Sequence, residues 1–404
     1  MINPVIPALG LKENFPLLSR SVDGHLITYL DSASTAPKPS CVIEAVLQYY
    51  EKHMANVHRG VHGLSEETTA LFEQARYTVA SFFNASPNEI IFTRDTTEAI
   101  NLVAHGLQLR SDDEVILPAS EHHSNFMPWR VRAQPIMIEL DAEGIPFYDE
   151  IDSLFSAKTK LVTLAQVSNI LGLVAPVEHC IASAHAHGVP VLIDAAQSAS
   201  HLPIDVKAMN CDFLVASSHK LLGPSGVGVL YGKREFLESF PLYQTGGGMV
   251  KYHGDTRYEV YDIPFCFEAG TPNIEGVIGF GAALSYLRSI GMKNIQTHSQ
   301  QLGAYIVKEL SNIEGIKVIA QRTQKSPRIG LASFSVNVPG LSADVVARQL
   351  YDRHQILVSG GYHCAHIPHH RLNLDGTVRV STQVFNSLAD IDHLCAGLND
   401  ILAI

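Results

Sequence analysis

Asp194 closes the apolar run VLID at 191–194, and Ala195, Ala196 and Gln197 follow it. The next apolar run, FLVAS at 213–217, leads through Ser217, Ser218 and His219 to Lys220, then to the turn-forming Gly223-Pro224-Ser225-Gly226. A carboxylate at one strand end and an amine beyond the next can face a single ligand. That pairing suits pyridoxal phosphate (PLP), an electron sink that is linked to a lysine and kept protonated at its ring nitrogen by an acid. Its phosphate needs donors at a helix start. The run Thr93-Arg94-Asp95-Thr96-Thr97-Glu98 lies between the strand-like EIIF (89–92) and a helical stretch through Leu107, and Ser217 and His219 add donors. A flat ring also needs a stacking partner, for which Glu121-His122-His123-Ser124-Asn125, after EVIL (114–117), is placed.

A second cluster reads SGGYHCAHIPHH at 359–370, with Cys364 among His363, His366, His369 and His370. A nucleophilic cysteine acts as its thiolate and, if it must carry a product away, belongs on a loop, for which Gly360-Gly361 offers mobility. Cys364, His366 and either His369 or His370 could instead supply three metal ligands, but their spacing fits no zinc finger and no second cluster closes the set. The extra histidines read as a surface turn, and no metal is expected.

These residues need a scaffold. Short β-rich runs (EIIF, EVIL, LVTLAQV at 161–167, VLID, FLVAS and VGVLYG at 227–232) alternate with helix-like segments such as 177–187, ended by Gly188. Near-continuous apolar strands between helices predict an α/β fold whose mostly parallel sheet is covered on both faces. Such sheets bind ligands beyond the carboxyl ends of their strands. From about Leu284 the pattern becomes long helices (284–315, broken at Gly291), the strands KVIA, RIGLASFSV and TVRVST, and a closing helix 388–402. That gives a large domain over 21–283 and a smaller α+β domain from 1–20 with 284–404. The segment 246–273 reads as a long irregular connection.

Composition narrows the partners. With 29 basic against 40 acidic residues, a net charge of −11 leaves no basic face for nucleic acid or an anionic membrane. Six dispersed cysteines without a C-x-x-C pair, and a start without a basic leader, point to a reduced, soluble, cytoplasmic chain.

Taken in order, the stretches YLDSAST (29–35), NVHRGVH (56–62), TTEAINLVA (96–104), EHHSNFMPW (121–129), QVSNILG (166–172), IDAAQS (193–198), SSHKLLGPSGVGVLYG (217–232), FEAGTPN (267–273) and HCA (363–365) resemble the class V aminotransferase-fold PLP enzymes, specifically the SufS-type cysteine desulfurases. The resemblance implies a fold-type I homodimer with a seven-stranded sheet. It makes Lys220 the cofactor-linked lysine, Asp194 the partner of the ring nitrogen, Gln197 a contact of the ring hydroxyl and His122 the stacking group. Thr96, Thr97, Ser217 and His219 would hold the phosphate, helped by Thr271 from the other subunit. Asn169 and Arg379 would take the substrate carboxylate, and Cys364 would receive sulfur from L-cysteine as a persulfide for an acceptor protein, leaving L-alanine. The family pattern R-T-G-H-H-C is here Ser359-Gly360-Gly361-Tyr362-His363-Cys364, so a cation is missing at Ser359. A related lyase, such as a selenocysteine lyase, or an epimerase or aminotransferase on another amino acid is the alternative.

Overall fold

The computed structural model describes residues 11–321 and 327–402. Seven strands, β1 (Ile90–Thr93), β2 (Glu114–Pro118), β3 (Gln134–Ile138), β4 (Thr159–Ala165), β5 (Val191–Asp194), β6 (Phe213–Ser217) and β7 (Gly228–Gly232), form one sheet in the order β1-β7-β6-β5-β4-β2-β3. β2 to β6 pair in parallel, and β7 runs antiparallel between β6 and β1. Every residue of β5, β6 and β7 is buried, because helices cover both faces. β1, β2, β4, β5 and β6 therefore end at one edge, at Thr93, Pro118, Ala165, Asp194 and Ser217.

The seventh strand, β3, has no counterpart among the apolar runs read from the sequence. It is one of the two edge strands, carries Pro135 and is mostly half-buried, which an edge position tolerates and a central one does not.

A second, antiparallel sheet holds β8 (Ile316–Val318), β9 (Leu331–Val336), β10 (Ser359–Gly361) and β11 (Thr377–Ser381), in the order β8-β9-β11-β10. The helices Met292–Leu310, Ala343–His354 and Leu388–Leu402 pack on it around Phe334, Val346 and Leu394. Residues 28–31 join this side of the molecule: Thr28–Tyr29 pairs in parallel with Ile356–Leu357, and Asp31 bridges to Ser381. Phe15 packs edge-on against both Tyr286 and Phe385. Residues 1–10, part of the smaller domain expected from the sequence, lie outside the described residues.

Two expected elements differ. The long helix begins at Ile274 rather than 284. The Asn273 side chain caps it by accepting from the Gly276 amide, and Gly291, at φ +91°, ends it. The connection 246–273 is not wholly irregular, since Val250–His253 and Tyr258–Val260 form an antiparallel hairpin. No helix among the described residues is long and apolar enough to cross a membrane.

Candidate active site

A cavity of about 370 Å³ opens at the carboxyl edge of the large sheet, between it and β10–β11. Asp194, at the end of β5, is buried there, and its Oδ1 accepts from the Ala196 amide at 2.8 Å. Burial raises its pKa, against the pull of that hydrogen bond and of Lys220. Lys220 stands one strand over, on the short turn after β6, and lines the same cavity. Burial first, then the Arg379 charge, bring its amine down to about 8, while Asp194 and Cys364 pull the other way. An amine so placed is much nearer to its neutral, nucleophilic form than a surface lysine. Gln197 lines the cavity too and donates to the Ala33 carbonyl at 3.0 Å.

One end of the cavity is built to take an anion. The helix Thr96–Gly106 starts there, with the Asp95 side chain accepting from the Glu98 amide as its cap. The Thr96 amide donates to Ser217 Oγ at 2.8 Å, the two hydroxyls lie 2.7 Å apart, and Thr97 Oγ1 lies 2.8 Å from Ser124 Oγ. β7 must pass directly behind this helix start: a methyl at Gly228 would sit 2.5 Å from Asp95 Cα. His219 completes the end, its imidazole pKa lowered to about 4 by burial and by Lys220 and Lys38. His122 forms a wall, its pKa lowered to about 3 by burial and then by Lys220, so the ring is neutral at pH 7.

The opposite end belongs to Arg379 of β11. Its guanidinium is buried, donating through Nη1 to the Asn169 carbonyl at 3.2 Å and through Nη2 to Ser34 Oγ at 2.8 Å, with Asp31 Oδ1 3.6 Å away. Its Nε is buried without a hydrogen-bond partner among the described residues. Such a donor is costly unless a ligand atom satisfies it. The Asn169 side chain donates at 2.9 Å to the carbonyl of His363, and the His123 amide donates at 2.8 Å to that of Cys364. Cys364 is exposed on the turn between β10 and the short helix His366–Arg371, and it faces the cavity. His363 and Cys364 both have left-handed backbone, at φ +50° and +56°.

The chain thus brings together Thr96, Thr97, His122, Asn169, Asp194, Gln197, Ser217, His219, Lys220, Cys364 and Arg379 around one cavity. Thr271 is absent from it. It is exposed in a separate depression with Arg59, Gly247 and Gly248.

Two readings of the cysteine stretch change. Gly360 and Gly361 are strand residues of β10, paired with Val378 and Thr377. A methyl at Gly360 would lie 2.8 Å from Asp344 Oδ1 and 2.9 Å from the Ala343 carbonyl, so close packing requires this glycine. The extra histidines are not all surface residues: His369 is buried, with Nδ1 2.8 Å from the Ala365 carbonyl and Nε2 3.0 Å from Thr377 Oγ1. The metal reading meets committed nitrogens, since His366 Nδ1 lies 3.1 Å from His123 Nε2. No cluster of three or more such side chains among the described residues is arranged for a metal.

Sequence reasoning also passed over Asp31, Ser34 and Glu121. Glu121 directly precedes His122 and is buried, accepting from Asn125 Nδ2 at 2.7 Å and the Ala165 amide at 2.9 Å, and burial raises its pKa to about 8. Its position directly before His122 was the available signal.

Residues 28–394 match the family described as aminotransferase class-V. A probable cysteine desulfurase of Synechocystis is 40% identical over 97% of this chain and 95% of its own length. Among solved structures, the apo cysteine desulfurase of Thermococcus onnurineus superposes with a TM-score of 0.92 at 36% identity, covering 100% of both chains. The Escherichia coli cysteine desulfurase CsdA, in an S-sulfonic acid form, gives 0.88 at 34% identity over 99% of each chain.

Proposed function

This chain belongs to the class-V aminotransferase family, and we propose that it is a PLP-dependent cysteine desulfurase, converting L-cysteine to L-alanine and moving the sulfur to Cys364. The observation that carries this reading is one cavity shared by Lys220, Asp194, Arg379 and Cys364. The buried carboxylate and amine on neighbouring strands, with the Arg379 side chain on the same cavity, fit PLP bearing an amino acid.

When bound, PLP supplies an electron sink that acidifies the substrate α-carbon and weakens its Cβ–S bond. Lys220 would hold the cofactor and, once freed by the substrate amine, would move the α-proton. Asp194 would keep the ring nitrogen protonated, Gln197 would meet the ring hydroxyl, and the neutral His122 ring would face the cofactor. Thr96, Thr97, Ser217 and His219 would hold its phosphate at the helix start. Arg379 pairs with the substrate carboxylate, with Asn169 alongside. The Cys364 thiolate attacks the substrate sulfur; an S–S bond forms, the C–S bond breaks, and protons complete alanine. Cysteine plus protein thiol gives alanine plus protein persulfide, so no outside oxidant is needed.

Thr271 belongs, in this reading, to the partner subunit's phosphate site in a homodimer, which agrees with its exposure away from its own cavity. In this reading the large domain spans 21–283, with its residues 28–31 paired to the second sheet and its last helix continuing to Ile290, and the smaller one is built from both chain ends. The persulfide passes to an acceptor protein in the reducing cytoplasm, with iron–sulfur cluster assembly as the use served. Ser359 favours a second reading, a related lyase on another amino acid, because the strand position facing Arg379 carries no charge.

The test is alanine and sulfide release from L-cysteine by wild type, Lys220→Ala and Cys364→Ala. Lys220→Ala should lack the visible cofactor absorbance and all turnover. Equal persulfide-dependent rates in wild type and Cys364→Ala would sink the sulfur-relay role.

A further inference from the structure

Arg76 is 1% exposed in the middle of the helix Gly63–Phe83, an expensive place for a cation unless every donor is met. All of them are. Nη1 and Nη2 each lie 2.7 Å from one carboxylate oxygen of Glu268, Nη1 also donates to the Ile90 carbonyl at 2.9 Å, and Nε and Nη2 donate to Glu73 at 2.9 and 3.4 Å. The guanidinium also lies over the Phe92 ring, 4.7 Å from its centre. Glu268 in turn accepts from the Phe92 amide at 2.8 Å, so its side chain, 8% exposed, is clamped to both β1 and the helix. Two residues later Gly270 donates to the Gly247 carbonyl at 2.7 Å, and the next residue is Thr271. The segment that presents Thr271 outward is anchored from within by one buried ion pair.

We propose that Arg76 and Glu268 are positioning residues that act in trans, fixing Thr271 for the cofactor phosphate in the partner subunit. This rests on the homodimeric PLP reading above. Neither side chain lines the cavity of its own subunit, and Glu268 instead borders the depression that holds Thr271, with its carboxylate turned onto Arg76 and the Phe92 amide, so the pair acts on the partner's site by holding the segment that carries Thr271. A bidentate pair defines both position and angle of the anchored backbone, which a single lysine contact does not.

The experiment uses purified dimers stripped of cofactor and titrated with PLP, read by the visible absorbance of lysine-linked PLP. Glu268→Gln homodimers should need roughly tenfold more PLP for half-saturation, as should Arg76→Lys and the reference Thr271→Ala. Arg76→Lys serves if Glu268→Gln does not fold. Each variant is then paired with a Lys220→Ala protomer, which cannot give the absorbance. The one absorbing site keeps its own Lys220 and receives Thr271 from the unaltered neighbour, so wild-type affinity should return. Wild-type affinity in the Glu268→Gln homodimer overturns the proposal, as does a mixed dimer as weak as that homodimer. If Thr271→Ala mixed dimers also fail to recover, or no dimer forms, the underlying placement of Thr271 across the interface is what fails.

Discussion

Replacing Gly360 with alanine separates two roles for the glycine pair before Cys364. If the glycines provided loop mobility, an added methyl would stiffen the chain and leave the fold as stable or slightly more so. The structure predicts the reverse. The new methyl would press on the Ala343 carbonyl at 2.9 Å, a backbone atom that cannot rotate away, and on Asp344 Oδ1 at 2.8 Å. Relief requires β10 to shift, and overpacking of this kind costs about 1–3 kcal/mol. The displaced strand leads directly into His363 and Cys364, whose left-handed backbone costs on the order of 1–2 kcal/mol each. Three hydrogen bonds of 2.8–2.9 Å hold that turn, from the His123 amide, Asn169 Nδ2 and the Ala365 amide. At about 1 kcal/mol apiece they roughly offset the strain, so losing one shifts the turn by about fivefold. Gly360→Ala should therefore melt a few degrees lower and load Cys364 with sulfur about fivefold more slowly, with its cofactor absorbance unchanged. Gly63→Ala, where a methyl meets open space at a helix start, is the control and should not melt lower. A Gly360→Ala protein as stable and as fast as wild type would refute the packing argument.

Arg379→Lys should raise KM for L-cysteine by about tenfold or more and leave the cofactor absorbance intact, because lysine cannot reproduce the planar fork; unchanged KM would refute the carboxylate role. Cofactor-free protein should regain its absorbance about tenfold faster per pH unit up to about pH 8 and no faster above it, following the neutral fraction of Lys220; a rise continuing toward pH 10 would contradict the lowered pKa. For Glu121→Gln, the folded pKa of about 8 lies above the ordinary 4.5, so the unfolded wild-type chain releases its proton first and wild-type stability falls as pH rises between those values. The variant should be about 1 kcal/mol less stable at pH 5, where its amide faces Asn125 Nδ2, and more stable than wild type at pH 9. Urea melts giving a pH-independent difference would refute this.

The chemistry was legible where it sat at the ends of apolar runs. VLID and FLVAS announce two buried strands, and Asp194 and Lys220 follow because a parallel sheet collects its strand ends at one edge. What the sequence hid depends on contacts far along the chain. β3 hid because Pro135 and Gln134 look like a loop until an edge position excuses them. His369 reads as polar surface, yet Thr377 on β11 gives it a buried partner. Gly360 resembles a hinge because only the neighbouring helix start at Ala343 shows why no larger residue fits. Glu121 hid because local periodicity does not say that Asn125 and the end of β4 enclose it.

The most direct test is the mass of the peptide containing Cys364 after a single turnover of L-cysteine by the cofactor-loaded protein. The account predicts one added sulfur atom on Cys364 for each alanine released, and neither an added sulfur nor comparable turnover in Cys364→Ala. Alanine released with Cys364 unmodified and its alanine variant equally fast would contradict it.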